Sequence, residues 1–126
     1  MSIFIKNNSF EISFKYTNIT FNENVIACKI EESGNFSLVA KAKGRDFETM
    51  SKIIEDSSII NSVNGKPMLR SSVLCKNIIL KFITEIEIKS ENSISNIVPT
   101  SENIKDMDYN IVKHISKKWL ELTSGG

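Results

Sequence analysis

The run Ser9-Phe10-Glu11-Ile12-Ser13-Phe14-Lys15-Tyr16 decides the fold class, because its apolar and polar side chains alternate with the two-residue period of a strand that has one covered face. Phe10, Ile12, Phe14 and Tyr16 line one side, and Glu11, Ser13 and Lys15 the other. Upstream, residues 1–5 are apolar enough for an opening strand, and Asn7-Asn8 supplies a turn. Downstream, Ile19 and Phe21 extend the pattern until Asn22-Glu23-Asn24 breaks it. Residues 25–30 and 36–42 then read as a hairpin joined through residues 31–35, where Gly34 can take the positive φ such a loop needs. The first 43 residues therefore predict an antiparallel sheet.

After Gly44 the period changes. Asp46 can cap a helix whose apolar positions Phe47, Met50, Ile53 and Ile54 fall at spacings of three and four, and Ser57-Ser58 ends it. Residues 59–63 form a short apolar segment before the turn signal Asn64-Gly65-Lys66-Pro67. A second helix fits Leu69, Val73, Leu74, Ile78, Ile79 and Phe82. Alternation returns over residues 84–88, and residues 90–96 read as a polar loop. Pro99 followed by Thr100-Ser101-Glu102-Asn103 marks a helix start. Asp108 can cap a final amphipathic helix with the stripe Ile111, Val112, Ile115, Trp119 and Leu122. The expected architecture is α+β, a single domain over residues 1–126. It is mainly β to residue 43 and mainly α beyond, with a short strand near 84–88. Roughly four or five antiparallel strands would be covered by two or three helices.

Composition narrows the function classes. The 126 residues include 16 basic and 15 acidic side chains, a formal net charge of +1, far from the one-sided field of a protein that grips nucleic acid through many phosphates. No apolar run approaches the roughly 20 residues of a membrane span, and the opening apolar run is too short for a signal peptide. Neither nucleic acid nor membrane is an expected partner. Cys28 and Cys75 each sit in an apolar stretch, which reads as two buried reduced thiols in a reducing compartment. The richness in Ile, Asn, Lys and Ser reports A+T-rich codons, a bias shared by many bacteria and their phages.

Catalysis needs a base, nucleophile or metal within mutual reach, and the only histidine, His114, lies beside Lys113 and three residues from Lys117 on the last helix. A solvent-facing imidazole is the plainer reading, and a pH-sensing or catalytic one the alternative. Neither cysteine belongs to a C-x-x-C pair, so no metal site is expected. The pairs Glu31-Glu32, Glu85-Glu87 and Asp106-Asp108 fall in a turn, on an exposed strand face and at a helix cap. Gly34, Gly44, Gly65, Gly125 and Gly126 fit no phosphate-binding loop. The chain is thus expected to be no enzyme and to carry no cofactor. Lys41, Lys43 and Arg45, and Lys105, Lys113, Lys117 and Lys118, could touch phosphate but also suit a solvated strand end and helix face.

Gly125-Gly126 has two readings, a helix C-cap or the diglycine tail of a ubiquitin-like modifier. Trp119 likewise has two, a core anchor or an interface anchor. For docking a partner the terminal helix is the expected segment, through Tyr109, Ile111, Ile115, Trp119 and Leu122, with Lys117 and Lys118 as a rim.

Three stretches, GRDFETMSKIIED (44–56), NGKPMLRSSVLCKNIILKF (64–82) and VPTSENIKDMDYNIVKHISKKWLELTSGG (98–126), resemble small bacteriophage proteins encoded among the tail genes, including tail assembly chaperones. The shared order is an N-terminal β segment, a helix start at Asp46 and Phe47, an apolar region over residues 69–82, and a final helix over residues 104–122. The resemblance implies a non-enzymatic virion-assembly protein, either a tail or baseplate subunit or a tail assembly chaperone. Its partners would be other phage structural or assembly proteins, with homo-oligomers as a further option, in the bacterial host cytoplasm and the virion. Size and composition suit a rival equally well, a small phage-encoded inhibitor or ligand-sequestering protein acting against host defence.

Overall fold

The computed structural model describes residues 3–60 and 62–125, and its fold is α+β. Strands β1 (Ser9–Phe21), β2 (Asn24–Ile30), β3 (Phe36–Lys43), β6 (Ile83–Lys89) and β7 (Ile94–Ile97) form one antiparallel sheet in the order β2-β1-β3-β6-β7. Strands β4 (Ser58–Ile60) and β5 (Pro67–Leu69) pair separately as a two-stranded hairpin. The helices are α1 (Phe47–Ser57), α2 (Ser71–Phe82), the single-turn α3 (Ser101–Ile104) and α4 (Tyr109–Thr123).

The alternation in β1 works as expected, with Ile12 and Tyr16 buried under the helices and Glu11, Ser13 and Lys15 exposed. Opposite them stand Ala40 and Phe36 on β3. The outer face carries a cross-strand row of Glu11, Lys41 and Glu85, with Lys41 Nζ 3.6 Å from the Glu85 carboxylate. Such a face is solvated, and the apolar face supplies the core.

Pairing corrects the expected hairpin. Strands β2 and β3 do not pair with each other. β1 is long enough for Tyr16–Phe21 partners to come from β2 and Ser9–Tyr16 partners from β3, on its two opposite edges. The β1–β2 connection is a two-residue turn with Asn22 at φ 49° and Glu23 at φ 68°, the type I′ geometry whose twist suits a hairpin. Residues 31–35 instead cross the Tyr16 main chain, where a Cβ at Gly34 would collide with the Tyr16 carbonyl. Gly34 is required for that close approach, not for a positive φ.

Four further expectations change. Residues 3–5 are not a strand, and Met1 and Ser2 lie outside the described residues. The second part, where only a short strand near 84–88 was expected, contributes both β6 and β7 to the sheet and also forms the β4–β5 hairpin. Residues 90–96 are not a loop throughout: Glu91-Asn92 is a tight turn, with the Ser90 N–H donating to the Ser93 carbonyl at 2.9 Å, and β7 begins at Ile94. Phe47 points to solvent, because α1 buries Met50, Ile53 and Ser57. Asn61, within the expected apolar segment 59–63, is also outside the described residues.

The helix caps hold, but Leu69, read as part of the second helix, pairs in β5 with Ser58, and α2 begins at Ser71. Asp46 accepts from the Thr49 N–H at 3.0 Å, Thr100 and Asn103 form a reciprocal capping box, and Asp108 accepts from the Ile111 N–H at 2.9 Å. Gly125, at φ 74°, follows the C-cap Ser124 of α4, the left-handed position that ends many helices. The core gathers Leu38, Ile53, Ile78, Ile79, Phe82, Ile86, Ile115 and Trp119. At its centre Phe82 and Trp119 stack, with ring centroids 4.2 Å apart.

Candidate docking surface

Helix α4 was the expected docking element, and its stripe faces inward. Ile111, Ile115 and Trp119 are core residues; Trp119 is fully buried and its Nε1–H donates to the Lys43 carbonyl at 3.0 Å. A ring that satisfies both its apolar faces and its one donor inside the fold has nothing left for a partner. Those three residues are therefore corrected from docking to packing. Tyr109 (69 % exposed), Leu122 (59 % exposed), Lys117 and Lys118 do remain at the surface.

They do not form one site. Tyr109 lies by a small cleft with Ser71, Ser72 and Cys75 at the start of α2, and the Lys113 ammonium sits 5.7 Å from its ring centroid. Lys118 is paired with Glu121 at 3.6 Å. Lys117, by contrast, faces a cleft of about 340 Å³ between α4 and β2, with Ile19, Lys29, Asn110, Lys113 and His114.

That cleft borders the largest feature missed in the sequence. Beyond Tyr16, β1 has β2 on one side and no β3 on the other, so residues 17–27 leave the sheet as a two-stranded ribbon. Ile19, Phe21 (65 % exposed), Val25 and Ile26 (63 % exposed) all show apolar surface on it. A register shift between Ile19 and Thr20 inserts Ile26 as an extra residue in β2. The separate β4–β5 hairpin shows similar surface at Ile60, Met68 and Leu69. The signal available in the sequence was the continued apolar pattern at Ile19, Phe21, Val25 and Ile26. What could not be read was that β3 stops short of covering it.

At the base of the ribbon, side chains from α4 hold the outer edge of β2. Asp108 uses one carboxylate oxygen to cap Ile111 and the other to accept the Cys28 N–H at 3.0 Å, while Asn110 Nδ2 donates to the Cys28 carbonyl at 2.8 Å. Both main-chain groups of Cys28 are thus satisfied as a neighbouring strand would satisfy them. Burial, with the Asp108 charge next, pushes the Cys28 thiol and the Tyr16 phenol above their ordinary ranges; for Tyr16 the Cys28 charge ranks between the two.

His114 is half-buried, not solvent-facing as expected. Its ring meets Phe14 edge-on with centroids 4.5 Å apart. Burial, then Lys118 and Lys117, hold its pKa below the usual imidazole range, so the neutral form prevails at neutral pH.

Each carboxylate pair has a member with a structural partner: Glu31 accepts from the Thr17 hydroxyl at 2.7 Å, Glu87 pairs with Lys89 at 3.2 Å, and Asp108 caps α4. Cys28 and Cys75 are free thiols, the first buried and the second half-buried. Among the described residues, no three His, Cys, Asp or Glu side chains gather as metal ligands, and no helix is long and apolar enough to cross a membrane. Gly125 emerges from a helix and not from a last strand; Gly126 lies outside the described residues. No family model, curated protein or solved structure matches this chain.

Proposed function

We propose that this chain is a non-enzymatic virion-assembly protein of a phage or prophage, a tail or baseplate subunit or a tail assembly chaperone, that acts by binding other assembly proteins. The single observation that supports binding is the β1–β2 ribbon, which holds Ile19, Phe21, Val25 and Ile26 at the surface, with Ile19 sharing a cleft with Lys113 and Lys117 of α4. Apolar side chains on a projecting hairpin, rimmed by cations, suit a partner segment that combines apolar and acidic residues. Assignment to virion assembly rests on the resemblance of residues 44–56, 64–82 and 98–126 to proteins encoded among phage tail genes.

The test is site-specific crosslinking in infected or induced bacterial cells. A photoreactive phenylalanine analogue at Phe21 is expected to capture a tail, baseplate or other virion protein, identified by mass spectrometry. The same analogue at Lys15, on the solvated sheet face, is the control. Capture at Phe21 of host proteins alone would sink the assembly reading and favour an inhibitor of host defence.

A further inference from the structure

The two edges of the main sheet are treated differently. On β2 the outward main-chain groups of Cys28 are occupied by Asp108 and Asn110. On β7 they are not. The Ser90–Ser93 hydrogen bond sets the β6–β7 register, so that Ser95 and Ile97 bond inward to Ile88 and Ile86 while Ile94, Asn96 and Val98 turn their N–H and C=O groups outward. Among the described residues, the only hydrogen bond to that outward set is from Asn103 Nδ2 to the Val98 carbonyl at 3.0 Å, which leaves that oxygen a second lone pair. Val98 precedes Pro99 and is biased toward extended backbone, so it can prolong β7 by one residue.

From this we infer that β7 is a self-association edge, and that its occupant is β7 of a second copy of this chain. The sequence Ile94-Ser95-Asn96-Ile97-Val98 is self-complementary about Asn96. An antiparallel pairing centred there sets Asn96 against Asn96 of the other copy and Ile94 against Val98, twice. Ile94 (66 % exposed) and Val98 (63 % exposed) would cover each other across the strands. The outward groups of residues 94, 96 and 98 meet in about six reciprocal main-chain hydrogen bonds. The result is a closed twofold dimer with one continuous sheet of ten strands, five from each copy. Pro99, which lacks an N–H, ends the pairing and disfavours other registers. A contact of this size lies at the weak end of specific interfaces, so the dimer is a concentration-dependent one. The inference stands apart from the partner docking proposed above, because β7 is remote in the strand order from the β1–β2 ribbon.

Sedimentation velocity on the full chain across a concentration series into the millimolar range tests it, with circular dichroism as a check on folding. The wild type is expected to move from monomer to dimer mass. Asn96 is exposed, so Asn96→Lys and Asn96→Asp should each fold normally yet weaken dimerisation at least tenfold, by setting like charges face to face. Mixing the two variants should restore a dimer containing one copy of each, visible by native mass spectrometry. A wild type that stays monomeric throughout overturns the inference, as does a dimer that Asn96→Lys leaves unchanged, or a mixture that forms no mixed dimer. The ribbon crosslink at Phe21 should be retained in both variants, which separates failure of this edge from failure of the docking reading.

Discussion

Trp119→Ala separates a core tryptophan from a docking tryptophan by magnitude. The ring is fully buried and stacked on Phe82, and truncating such a side chain in a packed core costs about 3–5 kcal/mol. Its Nε1–H also satisfies the Lys43 carbonyl, and an orphaned buried acceptor adds about 1–3 kcal/mol unless water enters the cavity. The combined loss of about 4–8 kcal/mol rivals the whole stability of many domains. In urea the midpoint should fall by about 2 M or more, and the variant should be partly unfolded at higher temperature. Trp119→Phe keeps most of the packing but loses the hydrogen bond, for about 2 kcal/mol and a midpoint shift near 1 M. Circular dichroism is the right signal, since the chain has one tryptophan and its removal abolishes that fluorescence. A folded Trp119→Ala protein that loses less than about 1 kcal/mol would refute the core assignment and return Trp119 to the list of docking residues.

Asp108→Ala removes the α4 cap and the acceptor for Cys28 N–H together, an expected loss of about 2–3 kcal/mol with faster hydrogen exchange at the Cys28 amide. If exchange there is unchanged, the edge contact is not formed in solution. Glu23→Gly should stabilise the protein by about 0.5 kcal/mol or more in thermal melts, because Glu23 holds φ 68° with a side chain that disfavours it; a lower melting temperature would count against the I′ turn. His114 binds its proton less readily in the folded state than its ordinary value of 6.5, for burial and for the nearby Lys118 and Lys117. The unfolded chain is therefore protonated first, so this contribution to stability is complete above pH 6.5 and is lost progressively as pH falls below it. His114→Gln should flatten the difference in unfolding free energy between pH 7.5 and about 5; an unchanged slope would assign the dependence to other groups.

Local chemistry was legible and pairing was not. The Phe10 to Tyr16 alternation, the caps at Asp46, Thr100 and Asp108, and the apolar stripe of α4 are each set by residues within one or two turns or strand repeats of one another. The β1–β2 turn was hidden because Asn22-Glu23 lacks the glycine that advertises type I′, while Gly34 advertised a turn in a segment that is a crossing. The strand expected over residues 84–88 is β6, but the Ile83 and Ile86 spacing hid its first residue and its bulge. A register shift between Lys41 and Ala42 leaves Thr84 as the extra residue, its hydroxyl donating to the Lys41 carbonyl at 3.2 Å, and so both isoleucines reach the core. The stripe on α4 identified a buried face correctly as apolar, but an apolar stripe looks the same whether its cover is the chain's own sheet or a partner.

The distinction determines where function can reside. Helix α4 is fastened at its start by Asp108 and Asn110 to the edge of β2, in its middle by Ser116 to the Cys75 carbonyl, and near its end by Trp119 to the Lys43 carbonyl. Each bond is lost if the helix moves off the sheet, so its inner stripe cannot be lent to a partner without dismantling the core. Binding is left to surfaces that no such bond immobilises. For that reason substitutions should fall into two groups that do not overlap: changes at Ile111, Ile115 or Trp119 lower stability, whereas Phe21→Ser or Ile26→Ser leaves the unfolding free energy within about 0.5 kcal/mol of wild type and alters only what the ribbon captures. A ribbon variant that unfolded the protein would mean that those exposed side chains are covered in solution, and the docking surface would then have to be sought elsewhere.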